Sequence, residues 1–169
     1  MIRDAREEDL PDIVAIYNAS IPGRLATADT DPVSVDARRS WFRDRAWDRH
    51  PVWVSTPDQP DRDGSGRVTG WLSFAKFYGR PAYAATAEVS IYVDPAAQRR
   101  GIARALVQQA IARAPALGLT TFLGFVFAHN APSVALCESF GFREWGRLPR
   151  VARLDGIERD LLILGLRIG

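Results

Sequence analysis

The residue types that could do chemistry are concentrated in one short segment near the middle of the chain. Glu88 lies in an apolar, strand-like stretch, and a basic turn with a glycine follows it at positions 98–101, before a helix-like run. Backbone N–H groups in the first turn of a helix have no intrahelical acceptor and lie at the positive end of the helix dipole, so this turn is suited to hold a phosphate. Charge-assisted hydrogen bonds from Arg99, Arg100 and Arg104 would strengthen such a site.

The basic turn differs from two other phosphate-binding motifs. It has no G-x-x-x-x-G-K-[ST] pattern, which would supply a lysine and a magnesium-binding hydroxyl. It also lacks the G-x-G-x-x-G pattern of a dinucleotide site. The turn alone therefore predicts either a phosphate ligand of another kind or an ordinary β–α connection with surface arginines.

The Glu88 carboxylate is the candidate general base. An attacking amine must be neutral, and a carboxylate in a partly desolvated cleft can accept its proton, directly or through a water. The residues on either side of Glu88 are mostly apolar, which argues against the alternative of a solvent-facing strand position.

These candidates require a strand before the turn and a helix after it. The patterning predicts helices over residues 7–19, 34–44, 103–114 and 134–140. It predicts strands over residues 2–5, 52–56, 68–77, 84–93, 120–127, 143–150 and 159–168, and a turn over 57–67. The order β-α-α-β-β-β-α-β-α-β-β predicts a single α/β domain over residues 1–169, with helices on the faces of a mixed, twisted sheet.

Composition excludes several classes of function. The chain has 169 residues and a formal charge of +2, and most of its arginines are interleaved with acids, unlike the basic face of a nucleic-acid-binding protein. One cysteine and two distant histidines predict no disulfide and no metal site. No apolar run could span a membrane, and no signal peptide is evident, so we expect a cytoplasmic protein without a membrane partner.

Three motifs together resemble the GNAT superfamily of acyl-CoA-dependent N-acyltransferases. The turn at positions 98–103 matches the Q/R-x-x-G-x-G/A signature of that superfamily for acyl-CoA. Asn-Ala-Pro-Ser at 130–133 and Ser-Phe-Gly-Phe at 139–142 follow it in the superfamily's order and spacing. The resemblance implies the GNAT fold, with helices on both faces of the sheet.

The chain also resembles one branch of that superfamily, the phosphinothricin N-acetyltransferase-like proteins. The resemblance lies in Ala-Ile-Tyr-Asn at 15–18, Asp-Pro-Val-Ser at 31–34, Arg-x-Trp-Phe at 39–42 and Arg-Pro-Ala-Tyr at 80–83. Two departures concern the acceptor side. Relatives often have a histidine where this chain has Ala85, and the chain keeps only Gly156 and Asp160 of their K-F-G-x-W-x-D segment.

The resemblance implies acetyl-CoA as co-substrate and assigns residues to it. The backbone of Ile91, Tyr92 and Val93 would bind the pantetheine arm, and Asn130 and Ser133 would support it. The pyrophosphate would be held by the residues of the turn and the start of the helix, namely Gln98, Arg99, Arg100, Gly101, Ile102, Ala103 and Arg104. For Asn130, a simple helix cap is the alternative interpretation.

The resemblance further implies that Glu88 is the base and that Cys137 or Tyr92 reprotonates the leaving thiolate. The alternatives are a small buried thiol and a tyrosine that packs in the core. Phe77, Arg80 and Tyr83 would line the acceptor pocket, and Asn18 with the loop at residues 23–30 would close its other wall. Arg80 would pair with an acid group of the acceptor, or else be a solvated loop arginine.

The resulting prediction is acetyl transfer from acetyl-CoA to the primary amine of a small molecule, by direct attack in a ternary complex. An amino acid or a phosphinothricin- or methionine-sulfoximine-like compound is the expected acceptor. Acetylation of a peptide N-terminus or a polyamine is one alternative, and a CoA-binding regulatory module without turnover is another. The resemblance also implies a homodimer.

Overall fold

Seven strands in the part of the chain that the structure describes form one mixed sheet. The structure is a computed structural model and describes residues 1–57 and 66–169. The strands are β1 (Ile2–Asp4), β2 (Val52–Ser55), β3 (Gly70–Lys76), β4 (Thr86–Val93), β5 (Thr121–Phe127), β6 (Arg143–Leu154) and β7 (Ile157–Arg167). The helices are α1 (Leu10–Ser20), α2 (Val35–Arg43), α3 (Ile102–Arg113) and α4 (Ala131–Ser139). This order of helices and strands confirms the predicted fold class.

The strands are arranged in the order β1-β2-β3-β4-β5-β7-β6. All neighbouring pairs are antiparallel except β4 and β5, which are parallel. A parallel pair needs a crossover connection, and α3 supplies it. The turn that precedes α3 is therefore placed at the end of β4, beside β5.

The two faces of the sheet carry two separate apolar cores. Leu106 and Ala110 of α3 belong to a buried cluster with Phe74 and Phe122 of the sheet. On the other face, residues of α1 and α2 pack in a second cluster that includes Ile13, Tyr17, Phe42 and Trp71.

The alternation of β4 decides which face its functional side chains reach. Successive residues of a strand point to opposite faces. Ala87 and Val89 of β4 belong to the α3 side, whereas Tyr92 packs with the cluster of α1 and α2. Glu88 shares the parity of Tyr92, so its carboxylate is on the face that α1 and α2 cover.

Some predicted boundaries shift for local reasons. The helix predicted from residue 7 begins with a 3-10 turn, Glu7–Asp9, and α1 starts at Leu10. The Asp9 carboxylate accepts hydrogen bonds from the Arg3 guanidinium and the Arg6 backbone, which holds this turn. Of the predicted turn at 57–67, residues 58–65 lie outside the described residues. Within residues 1–57 and 66–169, no helix has the length and hydropathy to cross a bilayer.

Candidate active site

Strands β4 and β5 separate at Glu88. Their parallel pairing runs from Thr86 opposite Thr121 to Glu88 opposite Leu123 and ends there. Both strands continue, and each remains paired along its other edge, to β3 and to β7. The sheet therefore has an opening between the last residues of β4 and β5, and Glu88 is at its apex.

The turn before α3 has the conformation of an anion-binding loop. Arg99 and Gly101 both have left-handed backbone, with φ of 61° and 78°. Gly101 is the N-cap of α3, and no side chain caps this end of the helix. The N–H groups of residues 102–104 donate to no acceptor among the described residues. A Cβ placed on Gly101 would meet no atom within 4 Å among the described residues, so the space beside the N-cap of α3 is open. Such a helix start favours a phosphate.

The three arginines of this segment differ in what they contact. The Arg104 guanidinium donates to the Ser139 hydroxyl at 3.3 Å and lies 5.1 Å from the centre of the Phe140 ring, so α4 holds it in place. Arg99 and Arg100 are exposed, and within the described part of the chain their side chains form no hydrogen bond or ion pair. They are free to contact a bound anion.

The environment of Glu88 makes its carboxylate a better proton acceptor than an exposed one. In the sheet, Glu88 pairs with Ala75 on one side and Leu123 on the other, and its side chain is half-buried. The carboxylate has no hydrogen-bond or ion-pair partner among residues 1–57 and 66–169. Burial raises the pKa of Glu88 above the ordinary glutamate value, because a charged carboxylate is less stable away from water.

The two candidate proton donors are on opposite faces of the sheet. Tyr92 packs against Tyr17 and Trp71, and its hydroxyl donates to the Ala26 carbonyl at 3.4 Å. Burial raises the pKa of Tyr92 well above its usual value. Cys137, on α4, packs against the α3-side cluster, and burial raises the pKa of its thiol to about 11. Both groups therefore carry their protons at neutral pH.

Asn130 is a helix cap whose polar atoms are both bound. Its Oδ1 accepts from the Ser133 N–H at 3.2 Å, which caps α4. Its Nδ2 donates to the Leu25 carbonyl at 3.0 Å, and the residue is only 6% exposed. The structure thus places Asn130 and Ser133 together beside the opening. Asn130 caps α4, which is the helix-cap role given above as the alternative to a pantetheine contact. A pantetheine contact from Asn130 stays a prediction.

A loop over residues 21–32, here the bridge loop, crosses the opening. Besides its contacts with Tyr92 and Asn130, its Arg24 carbonyl lies 2.8 Å from Nε2 of His129. The Arg24 guanidinium forms two hydrogen bonds with the Asp155 carboxylate, at 2.9 and 3.1 Å. Sequence reasoning missed Arg24, His129 and Asp155 as a group, because no local pattern connects residues so far apart in the chain.

We expect Asn130→Ala to lower the free energy of unfolding by about 1–2 kcal/mol, since the variant loses the α4 cap and the bond to the bridge loop. Asn130→Ser keeps a neutral capping acceptor for the Ser133 N–H and loses the donor to the Leu25 carbonyl. The variant should be closer to the parent in stability, with a higher KM for acetyl-CoA because the bridge loop loses its bond to residue 130. Chemical denaturation and steady-state kinetics measure the two effects. Equal stability of Asn130→Ala and the parent would contradict the capping role.

The structure brings together three of the four predicted acceptor residues. Phe77, Arg80 and Tyr83 line a cavity of about 330 Å³ at the β3–β4 hairpin, and the rings of Phe77 and Tyr83 are 5.4 Å apart. Asn18 does not line this cavity, and its side-chain amide exchanges two hydrogen bonds with the Val33 backbone, each of 2.9 Å. A wall formed by Asn18 and the loop at 23–30 stays a prediction. Among the described residues, no group of three or more His, Cys, Asp or Glu side chains is placed to hold a metal ion.

Comparisons with known proteins show which family the chain resembles. The model of the Acetyltransferase (GNAT) family matches residues 13–142. A Bacillus subtilis (strain 168) protein named as a candidate phosphinothricin acetyltransferase, YwnH, is 46% identical over 164 residues, which are 97% of this chain and 96% of that protein. The L-methionine sulfoximine/L-methionine sulfone acetyltransferase of Pseudomonas aeruginosa is 32% identical over 99% of this chain and 94% of its own length.

Solved structures show the same architecture. The structure of a phosphinothricin acetyltransferase from Sinorhizobium meliloti in complex with acetyl-CoA superposes with a TM-score of 0.90. It is 27% identical in sequence, and the match covers 100% of this chain and 88% of that one.

Proposed function

Because the chain belongs to the GNAT family of acetyltransferases, we propose that it acetylates the primary amine of an amino acid or an amino-acid-like compound. It is an acetyl-CoA-dependent enzyme of the phosphinothricin and methionine sulfoximine N-acetyltransferase type. The proposal covers the acceptor, the roles of the site residues and the reaction route. The route is direct transfer in a ternary complex, and residues 1–169 form one domain. A homodimer and a cytoplasmic location are inferred from the family resemblance alone.

The residues around the opening fit acetyl-CoA. The free N–H groups at the start of α3 and the open space at Gly101 suit a pyrophosphate, and Arg99 and Arg100 supply positive charge. Within the described part of the chain, the edge of β4 that faces β5 is unpaired beyond Glu88, so its peptide groups are available to the amides of a pantetheine arm. Acetyl-CoA bound in this way supplies the acyl group as a reactive thioester.

Glu88 accepts the proton of the attacking amine in this proposal. Its position at the apex of the opening, half-buried and without a partner among the described residues, is the observation that carries the proposed mechanism. Backbone N–H groups of β4 near Tyr92 would stabilise the developing oxyanion, and one preorganised donor of this kind is worth about 3 kcal/mol.

Cys137 and Tyr92 are both proposed as sources of the proton for the leaving thiolate. The Cys137 thiol has no hydrogen-bond partner among the described residues. Burial raises its pKa to about 11, which is closer to the pKa of the leaving CoA thiol than the pKa of Tyr92 is. The Tyr92 hydroxyl is bound to Ala26 and holds its proton more strongly. These observations favour Cys137.

Arg80 is proposed to bind an acid group of the acceptor. It lines the cavity at the β3–β4 hairpin, is exposed, and is free of ion pairs with the described residues. The same cavity contains Arg49 and Lys76 against one carboxylate, Asp48. This excess of positive charge disfavours a polyamine and favours an acceptor that carries an anionic group.

Release of CoA thiol from acetyl-CoA across an amine panel tests the proposal. We expect turnover with L-norleucine and less with pentylamine, which is norleucine without its carboxylate, and none with spermidine. Arg80→Ala should raise KM for norleucine roughly 10- to 100-fold and leave pentylamine unchanged, because one charge-assisted hydrogen bond is lost. Arg113→Ala removes an exposed arginine from the far end of α3 and serves as the matched control.

Two outcomes of the panel would contradict the proposal. Tight acetyl-CoA binding without thiol release for any amine would instead support a CoA-binding regulatory module. Turnover with spermidine or with a peptide N-terminus in preference to amino acids would replace the proposed acceptor class.

A further inference from the structure

A buried histidine with no hydrogen-bond partner among the described residues lines the cavity at the β3–β4 hairpin. His50 is 6% exposed, and among the described residues neither Nδ1 nor Nε2 has a hydrogen-bond partner. Leaving a buried polar atom without a hydrogen bond is energetically costly, so such atoms are rare and require an explanation. A ligand that completes the hydrogen bonds of the imidazole is one explanation that can be tested.

His50 lies where two cavities meet. The cavity of about 330 Å³ at the hairpin and a second cavity of about 500 Å³ share Ala46, His50 and Lys76 as lining residues. The second cavity also contacts Ala75, which pairs with Glu88 across β3 and β4. The two cavities therefore extend from Ala75, the residue opposite Glu88 in β3, past His50, to Arg80 at the hairpin.

The groups that face His50 are mostly cationic. Arg49, Lys76 and Arg80 line the hairpin cavity with it, and Asp48 is the carboxylate on that side. On the side of the second cavity, Asp44 and Arg45 line the wall with His50. The Arg45 guanidinium donates to the carbonyls of His50 and Phe74, so another positive charge adjoins the ring.

The imidazole is held neutral by this environment. Burial lowers the pKa of His50, the cations Arg45, Lys76 and Arg49 lower it further, and Asp48 opposes them. A neutral imidazole offers one N–H donor and one acceptor. The N–H would donate to an anion that enters between the cations.

We infer that the hairpin cavity is an acid-group pocket, which binds a carboxylate, phosphinate or phosphate through Arg49, Lys76 and Arg80 and through a ring N–H of His50. If the bound anion is the acid group of the acceptor, the inference rests on the proposed function. A free inorganic anion is the other source. Either would place a negative charge beside the ring, and His50 would take up a proton from solvent.

Ring-proton NMR of the full chain, recorded without acetyl-CoA, tests this pocket. The chain has two histidines, so the His129→Gln variant assigns both signals. We expect inorganic phosphate or L-norleucine to raise the titration midpoint of His50 by about one pH unit or more, because a nearby opposite charge stabilises the imidazolium. Pentylamine should leave the midpoint unchanged.

The arms of the experiment separate the two sources. A response to norleucine alone identifies the acceptor's carboxylate as the ligand, and a response to phosphate alone identifies a free anion. Arg49→Ala, at an exposed position, should give a roughly tenfold lower affinity for the probe that shifts His50. Arg113→Ala should leave that affinity unchanged. An unchanged His50 midpoint with both anionic probes, or an Arg49→Ala variant with parent affinity, would overturn the inference.

The NMR experiment and the thiol-release assay can fail separately. Thiol release with norleucine, together with a His50 signal that ignores both anions, would refute the acid-group pocket and leave the acetyltransferase proposal standing. If His50 responds to an anion but the protein releases no thiol with any amine, the acid-group pocket stands and the acetyltransferase proposal is refuted.

Discussion

Glu88→Gln should lower kcat about 10²- to 10⁴-fold, with little change in the dissociation constant of acetyl-CoA. Glutamine keeps the size of the side chain and cannot accept the amine proton. The acetyl-CoA contacts proposed above involve the turn before α3 and the edge of β4, which the substitution leaves intact. Stopped-flow or steady-state thiol release, with acetyl-CoA affinity from calorimetry, measures both quantities. Glu8→Gln changes an exposed glutamate far from the opening and should behave like the parent.

The pH dependence of kcat provides the second test of Glu88. A general base is active as the carboxylate, so kcat should rise with pH through the pKa of Glu88 and level off above it. Burial raises this pKa above the ordinary value of 4.5, so the rising limb should lie at higher pH than for an exposed glutamate. In Glu88→Gln this limb should disappear. If the variant keeps the limb of the parent, Glu88 is not the base.

Gly101→Glu should weaken acetyl-CoA binding about 100-fold or more. The substitution forces a side chain onto a backbone with φ of 78° and places a carboxylate in the open space in front of the first N–H groups of α3. Strain at such a position costs of order 1–3 kcal/mol, and a like charge beside a pyrophosphate costs several more. Calorimetric titration with acetyl-CoA measures the loss.

Two further variants separate charge from backbone strain at this turn. Gly101→Ala introduces the strain without the charge and should bind acetyl-CoA more tightly than Gly101→Glu. Gly118→Glu places the same side chain at another left-handed glycine, with φ of 68°, beyond the opposite end of α3. It should lower stability and spare acetyl-CoA affinity. Parent-like binding in Gly101→Glu would mean that the turn holds no pyrophosphate.

Much of the architecture could be predicted because it depends on short-range patterns. The 3.6-residue period of α3, the run of β-branched and aromatic residues in β4 and the Ser34 cap of α2 are each encoded within a few positions. Boundaries shifted where a proline imposed a 3-10 turn, as in Pro81–Tyr83 before β4. The conformation of residues 98–103 was also local in origin, since a glycine before a helix tolerates the left-handed backbone that opens the first N–H groups.

The geometry of the site depends on distant contacts that no local pattern encodes. Sequence alone determined the order of elements and the helices on both faces of the sheet, because side-chain periodicity and turn chemistry act over a few residues. It also predicted a base and a phosphate turn, which stay proposals. Tertiary structure decided that β4 and β5 part at Glu88, because each strand is held by a different neighbour along its other edge. It also decided that Asn130 binds the Leu25 carbonyl 105 positions away, and that His50 is buried beside Arg80 without a partner among the described residues. Such contacts form only when the whole chain packs, so the sequence could name the chemistry but could not assemble the pocket.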